Sequence, residues 1–283
     1  MAAAEDVPAE IPYDVPTPAR IYGWALGGKD NYEVDRQFML KNLPEFPEMI
    51  EVARQNRLFL YRAVRYLAQE AGIRQFLDMG CGLPTDDNVH QVARRFLPDA
   101  RVVYVDIDPI VLVHARALLA GDGSTAVITA DMRDQEAILA HPDVKRLIDF
   151  DEPVAVLFLS IGHHLVDADD PGGVLGAAID RAAPGSHLAF SQVVSADRAR
   201  ARDMDGRSTA AGLRWQTRDR AEVNALLPDG LEVVEPGLVD LGDWRPDPNQ
   251  PPLAPVPAEL RPYAGASRLG RDINEYGGVL RKP

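Results

Sequence analysis

Two hydrophobic rhythms alternate along this chain. From Pro47 to about Glu70, the apolar residues Ile50, Ala53, Leu58, Ala63, Val64 and Leu67 recur at near-helical spacing, and Gly72 stands where such a helix stops. The rhythm then shortens into continuous apolar runs: Gln75–Met79, Arg101–Asp106, Thr125–Ala130, Pro153–Ser160 and His187–Val194. Helical stretches separate them at Asp87–Phe96, Pro109–Leu119 and Gly172–Ala183. Strands with no polar face predict burial on both sides, hence a mostly parallel sheet with helices on both faces. Two further strands are expected at Leu231–Pro236 and Gly277–Leu280, after a helix near Arg218–Leu227. The alternation runs unbroken, so one α/β domain is expected over residues 73–283. Before it the pattern predicts an N-terminal helical cover over 19–72 and a flexible tail over 1–18, rich in Ala, Pro and acid. The segment Arg245–Pro262 carries too much proline for helix or sheet. A loop of that length is a functional lid, a disordered stretch or a surface excursion.

Charge narrows the partners. The chain has 283 residues, with 43 acids against 30 bases and a net charge of −13 at pH 7. Such a surface repels phosphate backbones and anionic lipid, so no nucleic-acid partner and no membrane partner is expected. The single cysteine, Cys81, excludes an internal disulfide and a Cys-based zinc site, and fits a reducing compartment. No apolar run approaches the ~20 residues that span a bilayer. The first nine residues lack the basic start of a signal peptide. A soluble, cytoplasmic protein is expected.

Chemistry concentrates at strand ends. In FLDMGCGLPT, Phe76–Thr85, a strand ends at Asp78 and runs through Gly80 and Gly82, which let the backbone turn sharply and a ligand come close. It is not a nicotinamide fingerprint, because the third glycine falls at Thr85, and Asp86 and Asp87 repel a pyrophosphate. In VVYVDIDP the second strand ends at Asp106, placed to accept from both hydroxyls of a ribose; Asp108 caps the next helix, with Pro109 at its first position. In ITADMRD, Asp131 can accept from an adenine amino group. Each acid taken singly is also explained as a helix cap or a solvated charge. Three in register after successive strands point to one nucleoside site.

This ordered set resembles the class I S-adenosylmethionine-dependent methyltransferases, whose first motif Asp/Glu-x-Gly-x-Gly-x-Gly is matched by Asp78, Gly80 and Gly82, with Pro84 in the final position. A narrower resemblance covers nearly the whole chain, from Thr17 to the closing GGVLRK. ARIYGWALGGKDNYEVDR and the GLPT ending are similar to an actinobacterial S-adenosyl methyltransferase family long catalogued as a domain of unknown function. The resemblance implies a Rossmann-like fold with seven strands ordered 3-2-1-4-5-7-6, the seventh antiparallel, and S-adenosyl-L-methionine as cofactor. It implies methyl transfer to a small molecule, of specialised metabolism. A non-catalytic binder of the cofactor, or an enzyme using it for other chemistry, stays open.

Within that frame, Asp78 and Gly80 are expected under the methionine part and Gly82 in the same loop. Asp106 belongs on the ribose, Ile107 against the adenine, and Asp131 with Met132 at the adenine edge. Ser160, ending the fourth strand, joins the cofactor set. Arg20, Tyr22, Lys29 and Asn31 are expected to close over the methionine end, with Lys29 as the cation for its carboxylate; Asn56 and Arg57 on the following helix could also face the pocket. His163 and His164 follow the fourth strand, where a neutral imidazole can take a proton from an attacking hydroxyl or amine. His163 is the first candidate, with Asp167 as an orienting group; a packed or cofactor-contacting histidine is the plainer explanation. No metal is expected.

Overall fold

The computed structural model describes residues 11–119, 123–265 and 272–283. Three helices come first among the described residues: α1 (Pro18–Ala25), α2 (Glu33–Asn42) and α3 (Met49–Arg65). Then follow β1 (Gln75–Met79), α4 (Val89–Arg94), β2 (Arg101–Asp106), α5 (Pro109–Leu119), β3 (Thr125–Thr129), α6 (Gln135–Ala140), α7 (Pro142–Leu147) and β4 (Ala155–Phe158). The last part comprises α8 (Pro171–Arg181), β5 (His187–Val194), α9 (Arg198–Ala210), α10 (Arg220–Leu226), β6 (Glu232–Val233), β7 (Val239–Asp240) and β8 (Asn274–Arg281). The sheet order is β3-β2-β1-β4-β5-β8-β6, with β7 also on β8. The first five strands are parallel and β8 is antiparallel to β5. This is the Rossmann-like methyltransferase order, with one strand more than expected. The expected edge strand over 231–236 is two residues long, and a second short piece, β7, follows it on the same partner. Pro236 offers no N–H to a ladder, and Gly237 turns at φ +107°, so the edge breaks there.

Alternation along the buried strands feeds two cores. Leu77, Met79, Val103, Val105, Val156 and Phe158 face α6, α7 and α8, among Ile138, Val144, Leu175 and Ile179. Phe76, Val102, Tyr104, Leu157, Ala189 and Val279 face the other way, onto Phe59, Leu60, Ala63, Val64 and Leu67 of α3. Asp78 shares the side of Phe76, so it points toward α3.

The helices ahead of the sheet pack as a cover. Ile21, Trp24 and Ala25 of α1, Met39 of α2, and Ile50 and Ala53 of α3 form a cluster with Leu213 and Leu260. The expected tail over 1–18 lies partly outside the described residues, but 12–17 is anchored: Arg20 donates to the Pro12 carbonyl at 2.8 Å and to the Val15 carbonyl, and Thr17 N–H donates to Asp35 at 3.0 Å.

The proline-rich segment is a strap along α3. Arg62 donates to the Leu241 and Trp244 carbonyls at 2.6 and 2.8 Å and to Gln250 at 3.0 Å. Arg65 pairs with Asp247 at 3.0 Å, Arg54 donates to the Ala254 carbonyl at 3.0 Å, and Leu260 is buried in the cover. Proline removes the backbone donors, so side chains of α3 supply the bonds. Burial pulls the Arg62 pKa down to about 10, which still leaves it charged at neutral pH. Arg62→Ala takes the donor from the Trp244 carbonyl and leaves the Leu241 carbonyl with the Trp244 N–H at 3.2 Å, beside a buried helix. Its urea unfolding should show a loss of about 2–4 kcal/mol; a loss below about 1 kcal/mol would mean the strap contributes little to stability.

Candidate active site

The turn after β1 is drawn over the end of β2. Gly80 and Cys81 N–H donate to the Val105 carbonyl at 2.8 and 3.1 Å, and Gly82 N–H donates to the Asp106 carboxylate at 2.7 Å. Both glycines have positive φ, +68° and +67°, which other residues adopt at a cost of about 1 kcal/mol or more. A Cβ on Gly80 would meet Ile161 at 2.5 Å; one on Gly82 would meet nothing within 4 Å. The chain thus packs tightly behind the first glycine and leaves open space at the second.

A cavity of about 500 Å³ lies at the carboxyl ends of the strands, within the range of small-molecule sites. On the side of β1–β3 its wall includes Asp78, Gly80, Gly82, Asp106, Ile107, Asp131 and Met132. Asp78 is only 4% exposed, and among the described residues no donor reaches its carboxylate. Burial pushes its pKa up to about 7, against the pull of Arg57. Arg57 of α3 lines the same wall, is itself buried, and donates to the Asp86 carbonyl at 2.6 Å and to Asn88 at 3.3 Å. Among the described residues it forms no ion pair. Asp106 is raised to about 6 by burial, although its oxygens accept from Gly82 and from Asp108 N–H at 2.9 Å. Ile107 is 62% exposed, an apolar face on the rim.

Beyond β4 the wall changes character. Phe38, Met39, Phe46, Met49, Val52, Val193, Met204, Leu213, Trp215 and Ile273 make it apolar. His163 and His164 stand at its border, with ring centroids 4.4 Å apart and the His163 ring 4.0 Å from Trp215. Their hydrogen bonds set opposite tautomers. Nδ1 of His163 accepts the Val193 N–H at 3.2 Å, so the neutral ring carries its proton on Nε2. Nδ1 of His164 lies 2.8 Å from the Arg214 carbonyl and must donate, which leaves a lone pair on Nε2. Burial holds both rings neutral, His163 well below the usual imidazole range and His164 at about 4.

A family model described as S-adenosyl methyltransferase matches residues 4–283. The chain belongs to the S-adenosyl methyltransferase family. A solved structure from Thermobifida fusca YX, classed as a methyltransferase, is similar at 43% identity over 95% of each chain, with a TM-score of 0.81. A protein of Streptomyces avermitilis MA-4680, described as a member of domain-of-unknown-function family 574, shares 36% identity over 96% of this chain and 99% of its own, with a TM-score of 0.83. The geranyl diphosphate C-methyltransferase of Streptomyces coelicolor A3(2), at 15% identity over 98% of this chain and 90% of its own and a TM-score of 0.52, shows the shared fold. No curated protein matches the chain in sequence. The protein is therefore an S-adenosylmethionine-dependent methyltransferase, with that molecule as cofactor.

In this methyltransferase the expected site residues separate into two groups. Tyr22, Asp78, Gly80, Gly82, Asp106, Ile107, Asp131, Met132, Ser160, His163 and His164 come together around the cavity. Arg20, Lys29 and Asn31 are not brought to it. Arg20 is buried in an ion pair with Asp35 at 2.8 Å, both side chains fully enclosed, and fastens the start of α2 to α1. Lys29 is exposed. Asn31 closes its own turn, donating to the Gly28 carbonyl at 3.2 Å and accepting from Arg36 at 2.9 Å. Asp167 pairs with Arg218 at 2.7 Å and does not orient either histidine. Asp131 is held by Arg133 at 2.9 and 3.0 Å, which keeps its carboxyl below the usual range.

Three contributors lay outside the sequence reading. Helix α9 has no apolar stripe, yet it brings Met204, Arg207 and Ser208 to the cavity. Trp215 follows it in a loop without period. Glu275, 3% exposed, accepts from the Ser160 hydroxyl at 2.5 Å. Glu275 shares the α3-facing side of β8 with Gly277 and Val279, a carboxylate in an otherwise apolar alternation, and that was its available signal.

The raised Asp78 pKa has a consequence for folding. The folded state holds a proton that the unfolded chain releases near pH 4, so this residue's contribution falls as pH rises from about 4 to about 7. Asp78→Asn should therefore stabilise the ligand-free protein at pH 8 by about 1–3 kcal/mol, with little effect at pH 4. Thermal melts at both pH values check this; destabilisation at pH 8 would show that Asp78 has a partner in the free protein.

Proposed function

We propose that this enzyme transfers the methyl group of S-adenosylmethionine to a small, largely apolar molecule, with the cofactor lying across the ends of β1–β3. One observation carries the reading: Asp78 and Arg57, an acid and a base buried in one wall, feel each other but form no close ion pair with each other or with another charged group among the described residues. Buried charge without a partner is costly. An α-amino acid zwitterion supplies both partners, its ammonium for Asp78 and its carboxylate for Arg57. The cofactor's methionine end has that chemistry. Arg57 thereby takes the part expected of Lys29.

The other positions fit the rest of the cofactor. The Asp106 oxygens accept backbone N–H groups of Gly82 and Asp108 and keep lone pairs for ribose hydroxyls. The space beside Gly82 admits the ligand, Ile107 offers an apolar face to the adenine, and Asp131 with Met132 lies at its edge. Tyr22, whose hydroxyl accepts from Asn56 at 2.9 Å, and Ser160 border the methionine end. When bound, the cofactor supplies a methyl group on a positively charged sulfur. The protein's part is to align donor and acceptor and to exclude water.

The acceptor belongs in the apolar half. Three methionines there, Met39, Met49 and Met204, make a wall that adapts to shape. A net charge of −13 works against a polyanionic acceptor. The Nε2–H of His163 and the bare Nε2 of His164 present a donor beside an acceptor, which suits a hydroxyl or an amine.

Calorimetric titration with S-adenosylmethionine tests the cofactor's placement. Arg57→Ala should weaken binding about tenfold or more, from ~1.5–3 kcal/mol for a charged hydrogen bond. Lys29→Ala should leave it within about twofold, as for an exposed surface charge. Affinity lost in the Lys29 variant and kept in the Arg57 variant would reverse the assignment.

A further inference from the structure

Behind Ser160 lies a buried polar chain that cofactor binding does not explain. Asn56 donates to the Tyr22 hydroxyl at 2.9 Å and accepts from the Ser191 hydroxyl at 2.8 Å. Ser191 accepts the Ser160 N–H at 2.7 Å, and the Ser160 hydroxyl reaches Glu275 at 2.5 Å. Asn56, Ser191 and Glu275 are all nine-tenths buried or more. Ser160 itself has φ +56°, a left-handed conformation uncommon for a side-chain-bearing residue. The Ser191 bond helps hold it there, with its side chain between the cavity and Glu275. Strain retained at a strand end beside a ligand cavity marks a position under functional demand.

We propose that Glu275 is the proton acceptor of this site, taking through the Ser160 hydroxyl the proton that a protic methyl acceptor gives up, and that the cofactor's positive charge is what makes it a carboxylate. This rests on the reading of the cavity as a joint site for cofactor and acceptor. The acceptor's O–H or N–H bond breaks and its electron pair stays on the acceptor, for the new bond to carbon. That proton bonds to Ser160 Oγ as the serine's own hydrogen passes to Glu275 Oε1. The carboxylate ends as a neutral acid and the serine is unchanged. The electron pair of the broken carbon–sulfur bond remains on sulfur.

The neighbouring histidines are poorer candidates. His163 has no lone pair on the nitrogen that is not already hydrogen-bonded. His164 has one, but a group titrating at about 4 is a weak base at neutral pH. Burial pushes Glu275 up to about 8, with the Ser160 bond pulling the other way. A base is most effective when it titrates near the working pH. The Oε2 atom is enclosed with no hydrogen-bond partner among the described residues, so the charged form is stabilised at Oε1 by Ser160 and not at Oε2 until a cation arrives.

The surrounding charges are few. Tyr22 on α1 feels Glu275, Asp78 and Arg57 together. Strand β5 faces Glu275 with Val193, whose N–H holds His163. On β7, Asp240 is bound by Arg220 and Asn274. Ahead of β8, Asp272 pairs with Arg200 at 3.2 Å.

The test counts protons. S-adenosylmethionine and the uncharged S-adenosylhomocysteine are titrated calorimetrically into wild type and Glu275→Gln, in buffers of different ionisation enthalpy near pH 7.5. Wild type should release about half a proton more than Glu275→Gln on binding S-adenosylmethionine, and no more than the variant on binding S-adenosylhomocysteine. Carbon-13 NMR of glutamate-labelled protein gives a second readout: the Glu275 carboxyl should titrate at least about one unit lower with S-adenosylmethionine than without. Ser160→Ala should raise its pKa in the free protein and serves to assign the resonance if Glu275→Gln does not fold. Equal proton release by wild type and variant, or a Glu275 titration indifferent to the cofactor's charge, overturns the relay. Failure of either ligand to bind overturns the cofactor reading instead.

Discussion

Helix α3 lies on the sheet with an apolar stripe that continues past the strand ends, and the polar machinery is built where stripe and sheet part. Along the sheet the helix presents Phe59, Leu60, Ala63, Val64 and Leu67. One turn earlier the same side carries Asn56 and Arg57. Strand alternation sends Asp78 of β1, Ser191 of β5 and Glu275 of β8 to that same side. Hydrophobic burial therefore fixes the separation of helix and sheet, and the polar groups receive their positions from it. Because they sit in a low-dielectric seam, the carboxyl groups are pushed up, Asp78 to about 7 and Glu275 to about 8.

That seam has to be held shut at its open end. The buried Arg20–Asp35 pair ties α1 to α2, and the proline-rich strap ties the far side of α3 to the sheet edge. Neither touches the cavity. Both serve it by fixing the cover that supplies Tyr22, Phe38 and Met39. The buried carboxyl groups Asp78 and Glu275, raised in pKa, destabilise the ligand-free fold as rising pH removes their protons, a cost that structural anchors elsewhere offset.

The parallel strands were legible because a strand buried on both faces shows as an unbroken apolar run, and Asp78, Asp106 and Asp131 because each ends such a run. The edge beyond β5 was less so. β6 and β7 are two residues each, too short for any period, and β8 begins three residues earlier than its apolar run. That earlier start hid Glu275. Arg20, Lys29 and Asn31 were drawn together by closeness in the chain; α1 turns Arg20 into the protein, toward Asp35, and leaves Lys29 in solvent. Arg57 carried a signal, as a charge on the buried side of a helix, but the sequence does not say what lies opposite.

The sequence by itself determined the strand–helix alternation, the turn at Gly80 and Gly82, and the acids at the ends of the first three strands, since all of these are local consequences of periodicity and backbone freedom. The tertiary structure decided which side chains share a site. It set Arg57 and Asp78 in one cavity wall without a close ion pair, gave His163 and His164 opposite tautomers, and placed Glu275 behind Ser160, 115 residues distant in the chain. Those relations depend on helix–sheet packing and strand order, which bring together side chains that no local pattern links.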